Sequence, residues 1–170
     1  RTLLSVYGGF GLSRKPRFAL GLLAWLDDDG IIAIPNVRGG GEYGVEWHEQ
    51  GKRANKQTVV DDSIAAAEYL IRRDYASPET IGVTGSSHGG LITAAIMTQR
   101  PDLARAALIG FPLLDMLRYH EFENAEFWEA EFGRADNEAD FAHLRALSPY
   151  HRVEKHTGYP GVLLLTGALD

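Results

Sequence analysis

Residues 82–90 read Gly82-Val83-Thr84-Gly85-Ser86-Ser87-His88-Gly89-Gly90 and contain the pattern Gly-x-Ser-x-Gly, with Ser87 at its centre. A β-prone run, 80–84, leads into this pattern, and an apolar run long enough for a buried helix, 91–97, follows it. A serine between a strand and a helix is typical of a nucleophile elbow, a strained turn that pushes the serine hydroxyl into solvent. Glycines are expected two residues before and after the serine, because side chains there would collide as the chain doubles back.

The Gly-x-Ser-x-Gly pattern alone is weakly specific, since a chain with 19 glycines can produce it by chance. The alternative is a glycine-rich turn that carries an unreactive serine. The flanking strand and helix patterns favour the elbow.

Strand-like and helix-like patterns alternate along the whole chain. Runs typical of strands occupy 3–7, 31–34, 80–84, 106–109 and 162–165, and helical spacing marks 18–26, 60–71 and 91–97. The runs at 31–34, 106–109 and 162–165 are continuously apolar, which predicts buried strands, and Gly30 is placed to cap the helix before it. This alternation predicts an α/β fold in one domain, with a mostly parallel sheet and flanking helices.

The segment 115–151 departs from this alternation. It is rich in aromatic and acidic residues and contains no strand pattern. We expect it to form short helices over the carboxyl ends of the strands, which is the edge where open α/β sheets bind ligands.

Composition excludes several classes of protein. With 45% hydrophobic residues the 170-residue chain is not a disordered tail, and its net charge of −6 argues against binding to nucleic acid or an anionic membrane. The chain has no cysteine, so it can form neither disulfides nor a thiolate zinc site, and its compartment stays open. No histidine pair has metal-site spacing, so we predict no metal and no cofactor.

We interpret three polar clusters as structural features and not as binding or catalytic sites. We expect the basic cluster Lys52, Arg53 and Lys56 to be a solvated surface, and Asp61 and Asp62 to serve the start of a helix. The run 38–41, Arg-Gly-Gly-Gly, lacks the lysine-serine ending of a phosphate-binding loop and is expected to be a structural turn.

Several further stretches carry a resemblance to a known family. They are 7–10 (Tyr-Gly-Gly-Phe), 36–44, 47–48, 55–57, 65–71, 98–103 and 114–120. With these stretches in order across nearly the whole chain, the sequence resembles the prolyl oligopeptidase family of serine peptidases. The resemblance implies an α/β-hydrolase fold and hydrolysis of short peptides after proline through an acyl-enzyme, without a cofactor, by a protein that is monomeric at full length.

The resemblance also implies roles for individual residues. Ser87 would be the nucleophile and Asp170 the acid of a catalytic triad. The backbone N–H of His88 and the phenol of Tyr7 would form the oxyanion hole, which stabilises the charge that develops on the attacked carbonyl.

A proline-binding pocket is implied at Phe10 and Trp128, where the pyrrolidine ring of the substrate would stack on the indole. Phe132 stands where family members often have a tyrosine, so it keeps the aromatic wall and loses a hydroxyl. Proline side chains have no hydrogen-bonding group, and aromatic walls can select them by shape and apolar contact.

Other departures concern the catalytic base and the extent of the chain. The family usually has asparagine at the position of His88, and in the family the catalytic histidine lies a few dozen residues beyond the acid. His88 adjoins the nucleophile, but a role as the base is not expected, because its side chain would leave the elbow in another direction. We therefore expect 1–170 to be part of a catalytic domain, without the family's propeller, its histidine or its C-terminal end, and nearly inactive by itself.

Two alternatives remain open at this point. The first is an esterase, or a peptidase with another side-chain preference, on the same fold. The second is a non-catalytic module that binds peptides.

Overall fold

The strands form one parallel sheet. A computed structural model describes residues 1–122 and 125–167. Its strands are β1 (Thr2–Ser5), β2 (Ile31–Ala33), β3 (Ile81–Ser86), β4 (Ala106–Gly110) and β5 (Gly161–Leu165). All pair in parallel in the order β2-β1-β3-β4-β5, which confirms the α/β expectation.

Helices fill the connections between strands. They are α1 (Leu20–Asp27), α2 (Val45–Glu49), α3 (Gln57–Arg72), α4 (His88–Gln99), α5 (Glu129–Phe132) and α6 (Glu138–Leu147). Short 3-10 turns lie at Arg53–Asn55, Tyr119–Glu121, Ala125–Phe127 and Pro149–His151. Within the described ranges, no helix is long and apolar enough to span a bilayer.

The order of the strands reverses direction beside β1. The chain moves from β1 outward to β2 and then returns to add β3 on the opposite side of β1. At such a switch point the loops after the two central strands part and leave a crevice at the carboxyl edge of the sheet. Tyr7 follows β1 and Ser87 follows β3, so both flank this crevice.

The core lies between the sheet and helices α3 and α4. Most of α4 is buried, including Leu91, Ile92 and Ile96, as its continuous apolar pattern predicts. Helix α3 buries only one face, with Val60 and Ala67 at the predicted helical spacing. Helix α4 packs against β3 and β4, and α3 packs against α4.

The two outer strands differ from the expectation of burial. Ile31 in β2 is 37% exposed, and Leu163 in β5 is 52% exposed. Both strands exist as predicted, and each pairs on one side only within the described residues. Strand side chains leave through the faces of the sheet, and the described residues leave these faces partly uncovered. Leu108 in β4 is also 37% exposed, although β4 pairs on both sides. The prediction that the strands at 31–34 and 162–165 are buried is therefore wrong within the described residues.

The end of α1 also differs in detail from its prediction. Asp29, with φ 54°, takes the left-handed position that we expected Gly30 to occupy. The Gly30 N–H donates to the Trp25 carbonyl at 2.9 Å and the Asp29 N–H to the Leu26 carbonyl at 3.2 Å, which is a Schellman motif. Gly30 is still required, because a Cβ there would overlap the Trp25 indole.

The segment 115–151 forms short helices, as expected. Two buried polar side chains tie it together over the described residues. The Ser148 hydroxyl accepts from the Met116 N–H and donates to the Leu114 carbonyl, both at 3.1 Å. The buried Tyr119 hydroxyl donates to the Gly133 carbonyl. The segment is therefore a fixed part of the core.

The turn between β3 and α4 depends on glycine at two positions. A Cβ on Gly85 would overlap the carbonyl oxygen of Gly89, and a Cβ on Gly89 would overlap the carbonyl oxygen of Val6. In both cases the obstacle is backbone, which cannot rotate away. The steric expectation from the sequence is confirmed by this packing.

We expect Gly85→Ala to lower the free energy of unfolding by at least about 2 kcal/mol, because overpacking against backbone cannot be relieved by a rotamer change. Gly82→Ala is the matched control in the same strand, since its Cβ would meet nothing closer than a Leu3 methyl at 3.6 Å. Chemical denaturation of both variants measures the difference. Equal stability of the two variants would contradict the steric argument.

Candidate active site

Ser87 occupies a strained backbone conformation at the tip of the turn. Its φ of 56° and ψ of −120° fall outside the favoured regions for a residue with a side chain. Its N–H donates to the Gly110 carbonyl at 2.8 Å, and the residue is exposed. Strain of this kind persists only where the surrounding structure enforces it, and it is common at functional sites. The predicted elbow is thus present.

A cleft of about 810 Å³ opens at the carboxyl edge of the sheet. Its lining includes Ser87, Tyr7 and Phe111, which follow three neighbouring strands, together with residues 12–17 from the loop after β1. The cleft coincides with the switch point of the sheet, so a ligand in it would meet the Ser87 hydroxyl.

Two hydrogen-bond donors flank the Ser87 side of this cleft. His88 is the first residue of α4, where a backbone N–H has no carbonyl partner within the helix. Burial, and then the Glu131 carboxylate, raise the pKa of the Tyr7 phenol, so it remains protonated at neutral pH. A free backbone N–H and a protonated phenol are the kinds of donor that oxyanion holes use.

The His88 imidazole points into the protein. Its Nδ1 lies 2.7 Å from the Tyr7 carbonyl oxygen, which can only accept, so Nδ1 carries the proton. Burial, assisted by the nearby Lys56 charge, lowers the pKa of His88 to about 3. The ring is therefore neutral at physiological pH, and its Nε2 is buried without a hydrogen-bond partner among the residues that the structure describes.

Aromatic rings pack around this imidazole. The His88 ring stacks on Phe132 at 5.7 Å, and Phe10 meets both rings edge-on at 5.7 and 5.8 Å. Trp128, partly exposed, packs against the same hydrophobic cluster. Phe132 is only 1% exposed, and its assignment to the substrate wall stays a prediction. It supports Phe10 and His88 from behind.

A buried ion pair beneath the aromatic cluster was not anticipated from the sequence. Lys56 is 2% exposed and Glu131 is 3% exposed, and the Lys56 ammonium donates to Glu131 Oε1. The Phe10 N–H donates to the same oxygen at 3.0 Å, and His48 Nε2 lies 2.7 Å from Oε2. The expectation that Lys56 belongs to a solvated basic surface is therefore wrong.

Burial and pairing compete in setting the charge of these two residues. Burial alone would raise the pKa of Glu131, but the Lys56 ammonium and the donors of Phe10 and His48 outweigh it, so the pKa lies below its usual value. Burial lowers the pKa of Lys56, and Glu131 opposes that shift. The sequence offered no signal for the pair, because 75 residues separate its members.

Other predicted residues lie outside the cleft or outside the described chain. Asp170 lies outside the described residues. Asp62 is in the second turn of α3 and accepts from the Arg38 backbone N–H at 3.0 Å and from its Nε at 2.8 Å, so it fixes the turn at 38–41 rather than the helix start. Over residues 1–122 and 125–167, no cluster of three metal-ligating side chains is found.

Comparisons with known proteins agree with this geometry. The sequence profile of the prolyl oligopeptidase family matches residues 16–170. The chain is 43% identical over 170 residues to the prolyl endopeptidase of Elizabethkingia meningoseptica, covering 99% of this chain and 24% of that protein.

Solved structures give the same result. A structure from a study of two prolyl endopeptidases is 47% identical, with a TM-score of 0.95, over 96% of this chain and 24% of that one. Prolyl oligopeptidase B from Galerina marginata, bound to a 25mer macrocyclization substrate, is 34% identical with a TM-score of 0.93, over 96% of this chain and 23% of that one.

The chain spans about a quarter of the length of these relatives. The match nevertheless covers nearly all of the present chain, in both sequence and backbone. The chain belongs to the prolyl oligopeptidase family, and its fold is that of the family's α/β-hydrolase catalytic domain.

Proposed function

We propose that the protein is a serine peptidase that hydrolyses short peptides after proline through an acyl-enzyme. The observation that carries this proposal is the strained Ser87, which faces a cleft shared with the Tyr7 phenol at the switch point of the sheet. Its relatives include prolyl endopeptidases, which supports the preference for proline.

Acyl transfer would begin at the Ser87 hydroxyl, which attacks the carbonyl carbon of the substrate. Negative charge then develops on the carbonyl oxygen, and the His88 N–H and the neutral Tyr7 phenol would donate to it. Because both donors are held before the substrate arrives, little reorganisation accompanies the reaction. The tetrahedral intermediate then collapses to an acyl-Ser87 and releases the amine.

The proton from Ser87 requires a base other than His88. The His88 Nδ1 proton is committed to the Tyr7 carbonyl, and its Nε2 is buried. We propose that Asp170 orients a separate histidine that accepts the proton and later delivers it to the leaving amine, as the family pattern implies.

Proline selection would come from Phe10 and Trp128, which lie at the partly exposed side of the aromatic cluster. Phe132 would back this wall without touching the substrate ring directly. Apolar, shape-based contact suits a pyrrolidine ring, which has no hydrogen-bonding group to recognise.

Ser87→Ala in the full-length protein should lower kcat/KM on a proline-containing chromogenic peptide by about 10⁴-fold or more, because no nucleophile remains. Ser86→Ala is the matched control, since Ser86 lines the same cleft one residue earlier, and its effect should be less than about threefold. Turnover of aryl esters without peptide cleavage would indicate the esterase alternative. If Ser87→Ala leaves the affinity for peptide unchanged and the wild type shows no covalent labelling, the protein is a binding module.

Tyr7→Phe should lower kcat by about 10² to 10³ with little change in KM, because the lost donor acts mainly in the transition state. Tyr43→Phe is the control, since Tyr43 is 67% exposed and is not among the residues that line the cleft. Steady-state kinetics of the two variants decide this point. Equal kcat values for Tyr7→Phe and Tyr43→Phe would show that Tyr7 is not part of the oxyanion hole.

His88 should make stability depend on pH. Its pKa falls from the usual 6.5 to about 3 on folding, so its contribution is full above pH 6.5 and is lost as the pH falls towards 3. Between pH 6 and 4 the wild type should lose about 1.4 kcal/mol per pH unit more than His88→Asn. Chemical denaturation across this range measures both slopes, and parallel slopes would show that His88 is not held neutral.

A further inference from the structure

The turn that carries Tyr7 and Phe10 is held in an unfavourable conformation. Phe10 has a φ of 56°, a left-handed value that a bulky aromatic residue rarely adopts. Gly8 in the same turn has a φ of 64°, which costs glycine nothing. Phe10 therefore needs contacts that keep it in place.

Glu131 supplies such a contact from a distant part of the chain. Its Oε1 accepts the Phe10 N–H at 3.0 Å and the Lys56 ammonium, and its Oε2 lies 2.7 Å from His48 Nε2. One carboxylate thus joins the turn after β1 to α2, to the residue before α3 and to α5.

We propose that Glu131 is a positioning residue, whose buried carboxylate holds the strained Phe10 turn and thereby sets the Tyr7 phenol and the Phe10 ring at the reaction site. This inference rests on the proposed function, because the two groups that it positions are those assigned to the oxyanion hole and the substrate wall.

Stability alone does not account for a charged group at this place. A buried ion pair can often be replaced by apolar side chains of similar volume without loss of stability. Such a replacement would pack well against Phe132, whose ring already lies 5.4 Å from the Lys56 ammonium. It could not accept the Phe10 N–H, however. The hydrogen bond to the turn is therefore the property that an apolar pair lacks.

The position of Tyr7 is coupled to the same turn. His88 Nδ1 donates to the Tyr7 carbonyl oxygen, and a Cβ on Gly9 would lie 2.6 Å from that Nδ1. The turn is thus held at its start by His88 and at Phe10 by Glu131, and just beyond Phe10 the Gly11 N–H donates to the Gly39 carbonyl at 3.2 Å. Loss of the hydrogen bond to Glu131 would let the φ of Phe10 relax towards negative values, which would move the Tyr7 phenol. Small displacements of a catalytic donor lower the reaction rate strongly.

Two double variants of the full-length protein test the proposal. Both carry Lys56→Met, which removes the buried cation, and they differ only at position 131. K56M/E131Q keeps an amide oxygen that can accept the Phe10 N–H, whereas K56M/E131L has a similar volume and no acceptor. Their melting temperatures, amide hydrogen exchange at Phe10 and kcat/KM on a proline-containing peptide are measured together.

We expect K56M/E131L to lose about tenfold or more in both Phe10 amide protection and kcat/KM relative to K56M/E131Q, at similar melting temperatures. Equal protection and equal kcat/KM would overturn the proposal. Should neither double variant fold, Glu131→Asp, which keeps the charge and shortens its reach, is compared with the wild type. An unchanged Phe10 exchange rate and unchanged kcat/KM in that variant would likewise overturn it.

Failure of the proposed function gives a different pattern. If the wild type cleaves no proline peptide, the kinetic comparison has no signal, and the peptidase assignment fails on that ground alone. Amide exchange at Phe10 still decides whether Glu131 holds the turn, since it needs no substrate.

Discussion

The site depends on the backbone of α4 approaching β1 and β3 without any intervening side chain. Gly85 faces the Gly89 carbonyl, and Gly89 faces the Val6 carbonyl, so the first turn of α4 sits directly on the ends of two strands. Ser87 lies at the tip of this turn and is exposed. Its left-handed backbone follows from that geometry, and the buried body of α4 holds the strain.

The reversal of strand order turns this local turn into a site. With β2 on one side of β1 and β3 on the other, the loops after β1 and β3 separate, and Tyr7 meets Ser87 across the gap. A tyrosine and a serine that are 80 residues apart in sequence then line one cleft. Neither segment alone would bring these two side chains together.

The charged groups beneath the cleft come from segments that are far apart in the sequence. The Lys56 and Glu131 pair joins the residue before α3 to α5 beneath the turn of Phe10. Burial, and then the Glu131 charge, raise the pKa of the Tyr7 phenol. His88 stays neutral in the same region because it is desolvated and lies near a cation. The site therefore combines a neutral phenol, a neutral imidazole and an internally balanced ion pair.

The elbow, the alternation of strands and helices, and the short helices of 115–151 could all be predicted from the sequence, because they depend on periodicity and on the steric demands of glycine between neighbours in the chain. The burial of β2 and β5 and the solvation of Lys56 were predicted wrongly. Each of these depends on which distant segments cover a residue, and hydropathy does not carry that information. The contact between Lys56 and Glu131 depends on the fold, because a buried ammonium is costly without a partner and its carboxylate partner here lies 75 residues away in the sequence.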